Sequence, residues 1–147
     1  MSKAKNDIFK KISACPTMIA DNINSDKSEL RQWPVQLKLI NTSASFLENA
    51  DLLIAADCTA YAYANFHRDF IKQHVTAIGC PKLDDSQFYK EKIVEILKNN
   101  NINSIKVVKM SVPCCTGISI IVKEAMEESG KDVSYSEATI DIDGKIL

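Results

Sequence analysis

Five cysteines are the residues best suited to do chemistry in this chain: Cys15, Cys58, Cys80, Cys114 and Cys115. They are spread out, without the CxxC spacing of a zinc finger or a ferredoxin knuckle, so any shared site has to be assembled by the fold. The intervals from Cys58 to Cys80 and from Cys80 to Cys114, 22 and 34 residues, are the lengths of successive strand–helix units. In a reducing compartment thiols serve metal ligation or thiol chemistry more often than structural disulfides. Cys80-Pro81 and Pro113-Cys114 fix the backbone beside the thiols, and Thr116-Gly117 opens a helix right after the double cysteine. Amides at a helix start stabilise thiolate over thiol.

Other polar residues stand close by. Asp57 precedes Cys58 at the end of an apolar run and is a candidate proton-transfer group, with helix capping as its ordinary use. His67, within NFHRDF, is a second candidate for proton transfer or ligation, and its plainer reading is a polar residue at a helix end. His74 reads as structural. Tyr61 and Tyr63 read as packing residues, and Lys82, Asp84 and Asp85 as turn chemistry.

The elements that must position these residues follow a regular beat. VQLKLI (Val35 to Ile40) alternates and predicts a half-exposed strand entered from Pro34. DLLIAAD (Asp51 to Asp57) predicts a strand buried on both faces. TAYAYANFHRDFI (Thr59 to Ile71) spaces Tyr63, Phe66 and Phe70 for a helix, and HVTAIGC (His74 to Cys80) is the next buried strand. Asp84 or Asp85 caps a helix through SQFYKEKIVEILKNN whose inward stripe is Phe88, Ile93, Ile96 and Leu97. SIKVVKMSV (Ser104 to Val112) is a strand. A helix from about Thr116 carries Ile118, Ile121, Val122, Ala125 and Met126 inward, with Gly130 as its C′ residue. ATIDIDGKIL closes as a strand with a turn at Asp143-Gly144.

Alternating strands and helices predict an open three-layer α/β sandwich, a mostly parallel sheet of 4–5 strands of Rossmann-like or flavodoxin-like kind. Residues 1–31 read as an N-terminal arm and 32–147 as a single α/β domain. Ligands of such sheets sit beyond the carboxyl ends of the strands. Cys58, Cys80, Cys114 and Cys115 all fall there, on three consecutive turns, within reach of one polynuclear cluster.

The 147 residues fit one domain, and 18 basic against 19 acidic residues give a formal charge of −1, which offers no overall attraction for nucleic acid or an anionic membrane. No apolar run is long enough to span a bilayer and no secretory h-region is present, so the expected setting is cytoplasmic. The four glycines, at 79, 117, 130 and 144, form neither GxGxxG nor a P-loop, which disfavours the common nucleotide enzymes.

The strings QWPVQLKLI, ADLLIAADCTAYAYANFHRDFI, GCPKLDD and VPCCTGI resemble a family of prokaryotic iron–sulfur proteins described as 4Fe-4S ferredoxin-domain proteins, in which a ferredoxin module is joined to an α/β domain of this type. ACP at Ala14 to Pro16 resembles the family's N-terminal Cys-Pro element, while Thr116 stands where relatives carry Gly. No CxxCxxCxxxCP run occurs in this chain, so only the cysteine set of the α/β domain is implied, not the ferredoxin clusters.

Three functions follow as expectations. The first is an iron–sulfur protein, 4Fe-4S in kind, of cytoplasmic and anaerobic metabolism. Its cluster would be held by Cys58, Cys80, Cys114 and Cys115, with Cys15 as an additional candidate ligand. It would exchange electrons with a redox partner protein such as a ferredoxin, with a second copy of the chain, in a homodimer, as a further candidate partner. An iron lacking a cysteine would instead act as a Lewis acid, with Asp57 or His67 moving protons. The second is a metal-free thiol redox enzyme with Cys58 or Cys114 as nucleophile. The third is a zinc-holding structural module of a larger redox complex.

Overall fold

The computed structural model describes residues 27–147. Among these, the strands form a single four-stranded sheet with every pairing parallel. The strands are β1 (Asp51–Ala56), β2 (Val75–Gly79), β3 (Ser104–Met110) and β4 (Ser134–Ile140), and their spatial order is β2-β1-β3-β4. β1 is central, and Leu52 to Ala56 are all buried, as a strand covered on both faces requires. The three-layer α/β expectation is met with four strands.

Two long helices, α2 (Ser86–Asn99) and α3 (Thr116–Ser129), pack against each other. Asp85 caps α2 by accepting the Gln87 amide at 2.9 Å, which decides between the two aspartates at the cap. α3 ends at Gly130, whose φ of 69° is the left-handed conformation expected of a C′ glycine. Phe88 was expected inward on α2 but is exposed, and Tyr89 is the buried aromatic instead. Phe88 lies where Lys38 and Lys92 reach its ring at 5.8 Å, on the solvent side.

The helix expected from Thr59 to Ile71 is broken. α1 (Thr59–Ala62) ends at Tyr63, which turns to extended backbone, and a π-helical turn spans His67–Ile71. Phe66 and Phe70 are buried, and Tyr63 packs edge-on to Phe70 at 5.4 Å. Burying the aromatics together outweighs the continuation of a short helix.

Val35 to Ile40 is the second departure from expectation. Gln36 makes one isolated bridge to Ile78 of β2, and Leu37–Leu39 forms a 3₁₀ turn with Leu37 buried and Leu39 exposed. Its alternation is that of a strap rather than a strand. The Gln32 side chain pairs with the Thr76 backbone in both directions, at 2.7 and 3.3 Å, and Val35 accepts the Ile78 amide at 2.8 Å. The strap thus covers part of the β2 edge. Leu30, in the described part of the expected arm, packs against the core.

The closing segment pairs as expected around Asp143-Gly144, although β4 begins at Ser134 and ends at Ile140. Asp141 donates to Lys145 at 2.8 Å, Ile140 bridges Ile146 antiparallel, and Gly144 has φ 87°. A Cβ at 144 would fall 2.7 Å from the Ala62 carbonyl, so the turn lies directly against α1.

Candidate functional site at the carboxyl edge of the sheet

The strand order places a topological switch between β1 and β3. The chain leaves β1 toward β2 on one side and returns from β2 across β1 to β3, so right-handed crossovers send the two connections to opposite faces. Cys58 leads into α1 after β1, while Cys114 and Cys115 lie in the 3₁₀ turn Pro113–Cys115 that leads into α3. The cysteines therefore flank the switch point, the place where such sheets open a crevice.

Three links draw the turns together. The Asp57 amide donates to the Gly79 carbonyl at 3.0 Å, joining the residues that precede Cys58 and Cys80. Pro81 packs on Gly117, where a Cβ would lie 3.6 Å from the proline ring, so the Cys80 turn touches the start of α3. The Cys58 and Cys114 thiols both lie within electrostatic reach of Cys115.

Burial separates the thiols. Cys58 and Cys114 are exposed, Cys80 is half-buried and Cys115 is buried in the core. Burial pushes the Cys115 thiol up from its ordinary pKa, the Met110 backbone amide pulls partly back, and the Cys114 and Cys58 thiols add to the rise. Cys115 therefore favours the protonated thiol, and a metal ion binding its sulfur would have to displace that proton. Cys15 lies outside the described residues.

Asp57 faces the same edge. Its Oδ1 is buried without a hydrogen-bond partner among the described residues. Burial, then the Asp84 charge, push the carboxyl up, while the Gln36 side chain pulls it partly back. Asp57 does not cap α1: no side-chain cap bond is made there, and Thr59 Oγ1 donates back to the Ala56 carbonyl at 2.7 Å. His67 is exposed at the start of the π-helical turn, and its Nδ1 accepts the Glu29 amide at 3.1 Å. It fastens the incoming strap, and no hydrogen bond joins it to a cysteine among the described residues. His74 lies at the entrance to β2, with Nδ1 2.9 Å from the Lys72 carbonyl oxygen. Tyr61, expected to pack, is 93% exposed beside Cys58.

Tyr89 was not singled out from the sequence, and neither was the use of Asp84 beyond its turn. Tyr89 Oη donates to Asp84 and accepts the Cys80 amide at 3.1 Å. The available signal was Gly79: a glycine inside a strand marks a close approach by something else.

A family model described as a Rossmann-like domain matches residues 44–147. The chain belongs to the Rossmann-like domain family. This Rossmann-like domain is 32% identical over 118 residues to an uncharacterized protein of Archaeoglobus fulgidus, an alignment covering 80% of this chain and 83% of that protein. No solved structure matches it. Among the described residues, no helix of the Rossmann-like domain is long and apolar enough to cross a membrane.

The donor chemistry of this Rossmann-like domain can be compared with the two metal groups expected of it. One zinc ion, about 2.3 Å from each of four ligands, needs its sulfurs already gathered. No group of three or more His, Cys, Asp or Glu side chains among the described residues is gathered so as to hold a metal ion. A polynuclear iron–sulfur cluster binds each thiolate through a different iron and so accepts sulfurs that stand further apart. Thiolates have the softness that either group uses, and the linked turns bring Cys58, Cys80 and the Cys114-Cys115 pair to one edge of the sheet.

Proposed function

We propose that this Rossmann-like domain carries an iron–sulfur cluster at the carboxyl edge of its sheet and exchanges electrons with a redox partner protein. The observation that carries this reading is the set of three accessible thiols, Cys58, Cys80 and Cys114, on three turns linked to one another at the switch point. Cys115 stands behind them as the fourth cysteine of the edge.

A bound cluster would supply reversible one-electron chemistry at a potential set by nearby amides, charge and solvent access. The chain's part is to hold the thiols on a rigid sheet, to offer the amides at the start of α3, and to leave the edge open. Cys58 and Cys114 lie at the surface, where an incoming protein can approach, and exposed Tyr61 and Leu83 stand on the same edge. Asp57, with its unpartnered oxygen, is the group of this edge best placed to take a proton. His67 Nδ1 is taken by the Glu29 amide.

The test is anaerobic reconstitution with iron and sulfide, read by metal and sulfide content and by EPR. The expected result is a brown protein with iron and sulfide in comparable amounts. Cys58→Ser, Cys80→Ser and Cys114→Ser should each abolish retention, whereas Cys15→Ser only weakens it. A colourless protein holding one zinc would overturn the reading in favour of a structural metal.

A metal-free dithiol is the second reading, favoured by one observation: exposed Cys114 directly precedes buried Cys115, whose thiol it lies close enough to influence electrostatically. It predicts a colourless, metal-free protein in which a single thiol alkylates rapidly near neutral pH.

A further inference from the structure

Gly79 is the last residue of β2 and directly precedes Cys80. A Cβ there would lie 2.5 Å from Tyr89 Oη and 2.7 Å from Cζ. The strand thus gives up a side chain to admit a phenol from α2. Tyr89 is 1% exposed, and a buried hydroxyl at such a position must be bonded. Its Oη accepts the Cys80 amide at 3.1 Å and gives its proton to Asp84 Oδ2. The amides of Leu83 and Asp84 both return to the Cys80 carbonyl, at 3.1 and 3.0 Å, and Lys38 Nζ lies 3.5 Å from the Asp84 carboxylate. One hydroxyl therefore grips the Cys80 turn at its first residue and at its last, while the Asp57 amide on the Gly79 carbonyl ties the same corner to the Cys58 turn.

We infer that Tyr89 is a positioning residue for the Cys80 thiol: the Tyr89–Asp84 pair fixes where Cys80 stands relative to Cys58. The inference rests on the proposed iron–sulfur reading for what the thiol binds, and on the geometry alone for how it is held. A second consequence follows from the donors. Because Tyr89 Oη takes the Cys80 amide, that N–H is withheld from any sulfur at the edge, and amide donors to sulfur tune a cluster thiolate. A tyrosine serving only to fill the core would be replaced by phenylalanine without any effect on Cys80.

The test compares two thiols in one molecule. On the full-length, reduced, metal-free chain, iodoacetamide labelling of Cys80 and Cys58 is followed by peptide mass spectrometry in wild type, Tyr89→Phe, Asp84→Asn and Asp84→Ala. Tyr89→Phe should change the Cys80 rate by about fivefold or more, the equivalent of one ordinary hydrogen bond, and leave Cys58 unchanged. Asp84→Asn keeps an acceptor for the hydroxyl and should behave as wild type, whereas Asp84→Ala should resemble Tyr89→Phe. An unchanged Cys80 rate in Tyr89→Phe overturns the inference, as does an equal change at Cys58 and Cys80, which marks general loosening. If Tyr89→Phe does not fold, equal Cys80 rates in Asp84→Asn and Asp84→Ala overturn it.

Reconstitution separates this inference from the reading beneath it. Failure of the wild type to take up iron and sulfide ends the cluster reading and leaves the labelling contrast to decide the role of Tyr89. A cluster lost to a chelator about tenfold faster from Tyr89→Phe supports both. Equal loss from both proteins ends the positioning role alone.

Discussion

The two ends of the sheet use their polar groups in opposite ways. At the amino edge the loop of residues 41–50 is sewn to the segment 99–104. The Asn100 side chain donates from Nδ2 to the Thr42 carbonyl at 2.7 Å and, back within α2, to the Ile96 carbonyl at 2.9 Å, while the Asn101 side chain donates to Glu48 at 2.7 Å and that of Asn103 to the Asn49 carbonyl at 2.7 Å. Ser104 Oγ donates to Asp51 at 2.7 Å. At the carboxyl edge Asp57 Oδ1 has no partner among the described residues, and Cys58 and Cys114 stand exposed beside Tyr61 and Leu83. Hydrogen bonds that close on themselves stabilise a fold, and groups left open are available to a ligand or partner. On the proposed reading, function belongs to the end where stability has not been maximised.

The largest stability effect should therefore come from the amino edge. Asn100→Ala removes the donor from two carbonyls at a residue only 8% exposed, and should cost about 2 kcal/mol in urea unfolding. An equal loss from Cys58→Ala would erase the contrast, since an exposed thiol with nothing bound should cost no more than about 0.5 kcal/mol.

The double cysteine sharpens the comparison within a single turn. Cys115→Ser places a hydroxyl where the core holds a thiol, at a cost of about 1 kcal/mol. Cys114→Ser, at the surface, should leave unfolding within about 0.5 kcal/mol of wild type. Equal costs would mean that the turn does not divide its two thiols between core and solvent.

Period and punctuation carried most of the fold. Buried runs ending at Asp57, Cys80 and Val112, with βα-length intervals between the cysteines, were enough to predict a parallel sheet with the thiols at its carboxyl edge. Val35 to Ile40 misled because a strap fastened to a sheet edge alternates just as a strand does; what separates them is pairing, and Gln36 makes a single bridge. The helix from Thr59 failed because its aromatic spacing fits a helix, while burial of Phe66 and Phe70 beside Tyr63 fits a broken one. The asparagine run read only as a helix stop, because single residues do not announce which carbonyl across the fold they will meet. Tyr89 was invisible for the same reason: a phenol gripping Cys80 nine residues earlier depends on where α2 docks, and only Gly79 hinted at it.

The smallest effect, and one of opposite sign, is expected of Asp57. Its carboxyl is pushed up by burial and by Asp84, so the folded protein binds that proton more tightly than the unfolded chain, whose value is near 3.8. By linkage, the stability this group contributes is fully present below the unfolded value and is lost as pH rises through the folded one. At neutral pH the wild type therefore holds a carboxylate that its surroundings disfavour. Asp57→Asn, which keeps the shape and removes the charge, should raise the urea midpoint slightly at about pH 7 and leave it unchanged at about pH 3, where both side chains are neutral. A loss of stability at neutral pH would show that the carboxylate is held by a partner as the asparagines are, and the carboxyl edge would then be as closed as the amino edge.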